Sequence, residues 1–166
     1  MKLTIPEATR PKMKDYGIQE KVEGMLTWDW VREQLEQSKN YWVSTTRPNG
    51  NPHAAPVWGI LLDDCIYWGT GDTSRKNRNL LNNPHVVLHS ESGWDVVIVE
   101  GIVEKVTERA DFERVAPLYA TKYATHGYEP TADELAQGLM YRVIPHVVMA
   151  WKETSFPNTA TRWEFM

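Results

Sequence analysis

Three cations, Arg75, Lys76 and Arg78, stand within one helical turn of a chain whose net charge is −4. They belong to the stretch Gly71-Asp72-Thr73-Ser74-Arg75-Lys76-Asn77-Arg78-Asn79-Leu80. An apolar, strand-like run, Cys65-Ile66-Tyr67-Trp68, precedes it, and the helix-like run that it opens closes at Asn82-Asn83-Pro84. Thr73 or Ser74 can cap that helix by accepting hydrogen bonds from its first free N–H groups. A helix start carries partial positive charge and suits anions, phosphate above all. A strand, a Gly-Thr turn and a basic helix start converge on one point, which reads as the phosphate grip of a cofactor site. Helical spacing puts Lys76 and Asn79 on neighbouring positions with Arg78 further round, so the three can surround one phosphate. The alternative is a solvated basic helix start.

The rest of the composition bounds what such a site could serve. The chain has 166 residues, enough for one domain with a sizeable core. Its 42% hydrophobic and 24% charged residues are ordinary for a globular protein. A nucleic-acid binder is usually basic overall, so that role is disfavoured and the basic cluster is a local exception. The single cysteine, Cys65, sits in an apolar run and reads as a buried, inert thiol. That fits a reducing cytoplasm. The N-terminus lacks the apolar core of a signal peptide, and no run reaches membrane-spanning length. Eight tryptophans and seven tyrosines are many for this length. Most read as core, and some as the lining of a planar ligand site or a subunit interface.

The elements that must position these residues are mainly strands. Residues 1–24, broken by Pro6, Pro11 and Gly17, read as an extended or loosely ordered arm, and 25–166 as one domain. Thr27 caps a helix to about Ser38, with Trp28, Val31 and Leu35 on its apolar face. Strands are expected over Tyr41–Thr46, about His53 to Leu62, Cys65–Gly69, His85–His89, Trp94–Val106, Met140–Trp151 and, at an edge, Arg162–Phe165. Asn49-Gly50 and Asp63-Asp64 mark turns. Gly101 suggests a bulge or a close backbone approach. A helix over 108–124 carries an awkward Pro117, which is expected to kink or divide it. Thr131 starts another short helix. The sum is about six mostly antiparallel strands with marginal helices, a sheet that tends to close into a small barrel.

Other candidates are weaker. His53, His85, His89, His126 and His146 lack metal-ligand spacing. There is no G-x-S-x-G nucleophile motif. The segment His53-Ala54-Ala55-Pro56-Val57-Trp58-Gly59 mixes small residues, a proline and a tryptophan. Pro56 removes a ladder donor, which places this stretch at a bulge or an edge, and backbone groups freed there can face a planar heterocycle. An irregular edge strand is the plainer reading.

Together these residues resemble the pyridoxamine 5′-phosphate oxidase-like split β-barrel superfamily, in its branch of flavin- and deazaflavin-dependent oxidoreductases. The resemblance runs from about Tyr41 to Val106. It rests on Thr45-Thr46-Arg47-Pro48-Asn49-Gly50-Asn51-Pro52-His53 followed by Pro56-Val57-Trp58. It rests also on Ser74-Arg75-Lys76, on Arg78-Asn79-Leu80 before Asn83-Pro84, and on Gly93-Trp94 leading to Val99-Glu100-Gly101.

The resemblance implies a homodimer of six-stranded antiparallel split β-barrels with FMN or coenzyme F-420 bound between subunits. It implies that Ala54 to Gly59, with Ala55, Pro56, Val57 and Trp58 among them, run beside the flavin or deazaflavin ring. Trp68, Gly69 and Thr70 would flank the phosphate tail. Ser74, Arg75 and Lys76 match the phosphate-binding element, and Arg78 and Asn79 look more like the F-420 branch. The activity implied is hydride transfer to or from a small, planar substrate, with no side chain evident as general acid. The alternative is a protein that binds or stores a flavin or haem-type cofactor without turnover. Pyridoxamine phosphate oxidation itself is not implied. The family's Arg-x-His element is missing from Thr161-Arg162-Trp163-Glu164-Phe165, and an apolar residue near Val96 replaces its FMN-binding glutamine.

Overall fold

In a computed structural model that describes residues 3–165, Asn49-Gly50 turns the chain between β1 (Tyr41–Thr46) and β2 (Pro52–Val57). Gly50 takes a φ of 83°, which suits a residue without Cβ. A second turn at Asp63-Asp64, with φ of 51° and 65°, joins β3 (Gly59–Leu62) to β4 (Cys65–Thr70). The other strands are β5 (His85–Ser90), β6 (Asp95–Lys105), β7 (Leu139–Lys152) and β8 (Thr161–Glu164). The described chain therefore has eight strands, where seven segments read as strands and a barrel of about six was expected.

The difference arises chiefly at Trp58. The run from His53 to Leu62 reads as one strand, but the chain changes neighbours in its middle. The sheet order is β2-β1-β5-β6-β7-β4-β3, with every pair antiparallel. β2 and β3 are consecutive in sequence yet lie at opposite ends of that order. The sheet must curl until its two ends approach, so that Trp58 alone can span them. β8 extends the sheet along β7, which pairs with β4 through residues 139–143 and with β8 through 147–150.

Curling gives the sheet an inside and an outside. Period-two alternation sends Tyr41, Val43 and Thr45 inward and leaves Trp42 and Thr46 exposed. The inner face packs Trp68, Trp163, Leu88, Val97 and Val143 against Val31 and Leu35 of α1 (Trp28–Gln37). Thr27 caps α1, accepting from Trp30 N. Each large side chain so buried contributes about 1.5–3 kcal/mol. A second apolar layer lies outside β3 and β4. There Tyr67 and Ile60 meet Phe112, Val115 and Tyr119 of α3 (Arg109–Tyr123) and Leu135 of α4 (Ala132–Gln137). Pro117 does not divide α3: it and Glu113 both lie on the exposed side, where water can serve the carbonyl left without a donor.

Gly101 is the close approach that its sequence context suggests. A Cβ there would meet Ile144 O at 2.2 Å. The β6–β7 register slips between Glu100 and Gly101, leaving His146 as the extra residue of a bulge. The N-terminal arm is tied down at several points, among them Gln19, whose N–H donates to Pro157 O at 3.0 Å. Thr9 bridges to Arg162, and the Arg10 guanidinium donates to the carbonyls of Lys21, Glu23, Asn158 and Ala160. No helix among the described residues is long and apolar enough to cross a membrane.

Candidate functional site

The basic helix forms as α2 (Arg75–Leu80), and Ser74 rather than Thr73 caps it, accepting from Asn77 N at 3.1 Å. Thr70 at the end of β4 bonds the same Ser74 hydroxyl at 2.9 Å, tying the strand to the helix start. The phase of α2 then decides which residues can meet a ligand. Asn77 turns inward, donating to Asp72 O and accepting from the Tyr141 hydroxyl, each at 2.7 Å. Asn79 is fully buried and donates through Nδ2 to Thr45 Oγ1 at 2.9 Å. Asn79 therefore anchors α2 to β1, and it does not share a face with a free Lys76 as helical spacing suggested. Arg75 and Arg78 are exposed, and Lys76 is half-buried.

Two further residues join this group from β2 and its hairpin. His53, on the inner face of the edge strand β2, has its pKa lowered by burial first. The positive charges of Arg47, Lys76 and Arg75 then lower it further. The charges of all three thus bear on one imidazole. His53 Nδ1 and Arg47 Nε are buried with no hydrogen-bond partner. Buried donors without partners are costly, and gathered like charges repel. Both penalties are relieved by one multivalent oxyanion. Arg47 and His53 were not singled out as contact residues from sequence. The usable signal was the two-residue alternation that puts His53 on the same face as Ala55.

The stretch expected beside a planar ring divides between surfaces. Ala55 is half-buried on the inner face, Val57 is buried, and Pro56 is exposed opposite Trp42 on an edge strand. Trp58 is 40% exposed and stacks on Tyr123, with ring centres 4.6 Å apart and planes 7° from parallel. Trp68 lies wholly inside the sheet, with its Nε1 unpartnered, so it reaches the surface nowhere. Gly69 is exposed and Thr70 half-buried. With Trp58 they border a cavity of about 260 Å³ between the sheet and α3 and α4.

Below Trp58 lies a lysine that sequence gave no reason to notice. Lys122 Nζ donates to Gly59 O at 3.0 Å and to the Tyr41 hydroxyl at 3.1 Å, and sits 4.7 Å from the Tyr41 ring centre. Burial lowers its pKa from 10.5 to about 8, with Glu91 and Glu36 acting in the opposite sense. Cys65 is buried, and its thiol is pushed up to about 11 by that burial, as fits an inert side chain.

A family model described as pyridoxamine 5′-phosphate oxidase matches residues 27–152. No curated protein matches the chain in sequence. Solved structures do. A conserved hypothetical protein from Mycobacterium tuberculosis is 22% identical with a TM-score of 0.67, over 81% of this chain and 89% of that one. An F-420 reductase is 22% identical with a TM-score of 0.54, over 70% and 94%. A FAD-binding protein from Mesorhizobium loti is 17% identical with a TM-score of 0.60, over 84% and 95%. At these identities the likeness is one of fold.

Proposed function

The chain belongs to the pyridoxamine 5′-phosphate oxidase family, and from that premise we propose that it is an oxidoreductase that holds FMN or coenzyme F-420 at the interface of a homodimer of split barrels. The observation that carries this reading is the gathering of Arg47, Arg75 and Lys76 about His53, with two buried nitrogens unpartnered. A phosphate group supplies the acceptors and the negative charge that this cluster needs. The names of the similar proteins support a flavin-type ring attached to it.

Each residue then has a physical task. Arg47, Arg75 and Lys76 hold the phosphate, His53 donates to it from one ring nitrogen, and Arg78 adds charge from the solvent side. Thr70 and Ser74 fix the turn that aims α2. The free edge of β2 offers backbone groups to a heterocycle beside Ala55, Pro56 and Trp58. When bound, the ring supplies hydride transfer, the chemistry that no side chain here provides. Oxidation of pyridoxamine phosphate is not part of the proposal. Arg162 is committed to Glu164 at 2.5 Å and to β8, and no Arg-x-His element follows.

The dimer is supported by one bare face of the sheet. Outside β1, β2 and β5, Trp42 and Val87 are 39% and 37% exposed, with Ala54 and Pro56 open beside them. Among the described residues no helix covers them as α3 and α4 cover β3 and β4. A second copy of this chain is the occupant that places the β2 edge, and the ring beside it, between subunits.

The test is titration of apoprotein with FMN and with F-420, followed by tryptophan quenching, then reduction of the loaded protein against a panel of electron acceptors. Tight binding with turnover supports the proposal. Binding without turnover favours a storage or carrier role, and failure of both ligands to bind overturns it.

A further inference from the structure

The cavity beside Trp58 is walled by aromatic rings. Tyr128 meets Trp58 edge-on at 5.6 Å and Tyr119 edge-on at 5.9 Å. Tyr119 is held still, its hydroxyl 3.1 Å from Trp58 O and 3.2 Å from Tyr67 O. Trp58 is backed by its stack on Tyr123. Leu135, Leu139 and Met140 complete the lining on the side of α4 and β7. Engineered apolar cavities of roughly 150 Å³ take a benzene ring, so 260 Å³ accommodates one ring with substituents.

The charge of the cavity is one-sided. Its lining contains one ionisable carboxylate, Glu134, and no lysine or arginine. Glu134 caps α4 by accepting from Thr131 N and Thr131 Oγ1, both on Oε2. Its Oε1 keeps its acceptor capacity. Those bonds also hold its pKa below the usual carboxylate range, so the group is charged at neutral pH. Nearby cations are engaged elsewhere: Lys122 with Gly59 and Tyr41, Arg109 with Glu113 and Asp133. Ring faces carry negative potential, and a carboxylate adds to it.

We infer that this cavity binds a small planar heteroaromatic ring carrying positive charge, held against the wall formed by Trp58, Tyr119 and Tyr128 with Glu134 as counter-charge. Thr70 lines the cavity and bonds Ser74 at the cationic cluster, so the two sites are neighbours of opposite sign. That the occupant is the substrate rests on the cofactor reading above; that the cavity binds it does not. The ring-lined cavity selects against anionic substrates, whereas the cluster at Arg47 and Lys76 selects for anions.

Three one-ring probes of similar size separate the charges: 1-methylnicotinamide (methylated on the ring nitrogen, cationic), nicotinamide (neutral) and nicotinate (anionic). Calorimetric titration of cofactor-free wild type is expected to give 1-methylnicotinamide about tenfold tighter binding than nicotinate, the size of a partly desolvated cation–π contact. Glu134→Gln keeps a capping side chain, so it folds, and is expected to erase most of that preference. Tyr128→Ala, at a 38% exposed position, is expected to weaken all three probes. Lys76→Ala is expected to leave them unchanged even where it abolishes cofactor binding. Equal or tighter nicotinate binding, no detectable probe binding, or indifference to Tyr128→Ala overturns the inference. Loss of probe binding in Lys76→Ala overturns it too, by making the cavity part of the cofactor site.

Discussion

Asn79, in the last turn of a six-residue helix, donates to Thr45 near the end of β1 across 2.9 Å, and both are buried. That bond sets the rotation of α2. It turns Leu80 and Asn77 inward and leaves Arg75 and Lys76 where their charges bear on His53. So Asn79, which reads as a ligand contact from sequence, orients the helix that carries the two cations. Asn79→Ala leaves Thr45 Oγ1 without its donor, and thermal unfolding is expected to show a loss of about 1–3 kcal/mol. A variant as stable as wild type would remove the anchor role.

The cationic cluster makes a graded expectation. Arg47→Ala and Lys76→Ala each delete a charge gathered about His53 and should weaken FMN or F-420 binding about 10- to 100-fold, the worth of a charge-assisted hydrogen bond. Arg78→Ala, exposed and not among the charges that bear on His53, should cost less than either. Fluorescence titration of the three variants reads the order directly.

Lys122 makes stability depend on pH in a defined window. Its folded pKa, about 8, lies below its ordinary 10.5. Between those values the unfolded chain holds a proton that the folded one has released. Stability from this group therefore rises with pH across that interval and is flat below it. Lys122→Met removes the effect. The denaturant midpoint of wild type relative to Lys122→Met is expected to climb from pH 7.5 to pH 10; a constant difference would contradict the burial argument.

Gly101 has no room for a side chain. A Cβ would lie 2.2 Å from Ile144 O, a backbone atom that cannot rotate away. Gly101→Ala should cost about 1–3 kcal/mol or more through overpacking. The melting temperature reads it, and an unshifted value would mean that the bulge at His146 yields easily.

The uncovered face predicts its own disruption. Trp42→Asp would place a charge in the proposed dimer face, and light scattering is expected to find dimeric wild type and monomeric variant. Leu118→Asp, on α3 and similarly exposed at 37%, should stay dimeric.

Local chemistry was legible in the sequence wherever a few adjacent residues decide it. The caps at Thr27 and Thr131, the turns at Asn49-Gly50 and Asp63-Asp64, and the close approach at Gly101 all follow from one residue type and its neighbours. The strand break at Trp58 was not legible, because composition is continuous there and only the curl of the whole sheet makes the chain change partners. The inward turn of Asn79 was hidden for a related reason. A six-residue helix is too short for periodicity to fix its phase, and Thr45 settles it from thirty-four positions away. Trp68 reads equally as cofactor flank or core until the alternation of β4 puts it inside. Arg47 and His53 join Lys76 only through the pairing of β1 with β2 and the docking of α2, which no spacing encodes.

The most direct test of the account asks whether the protein grips a phosphate. FMN and riboflavin differ by that group alone. Titration of apoprotein with FMN, riboflavin and F-420, in wild type and in the Arg47→Ala, Lys76→Ala double variant, isolates its contribution. Wild type is expected to bind FMN or F-420 far more tightly than riboflavin, and the double variant to bind all three at the riboflavin level. Riboflavin binding as tight as FMN, or a double variant that keeps wild-type affinity, would contradict it.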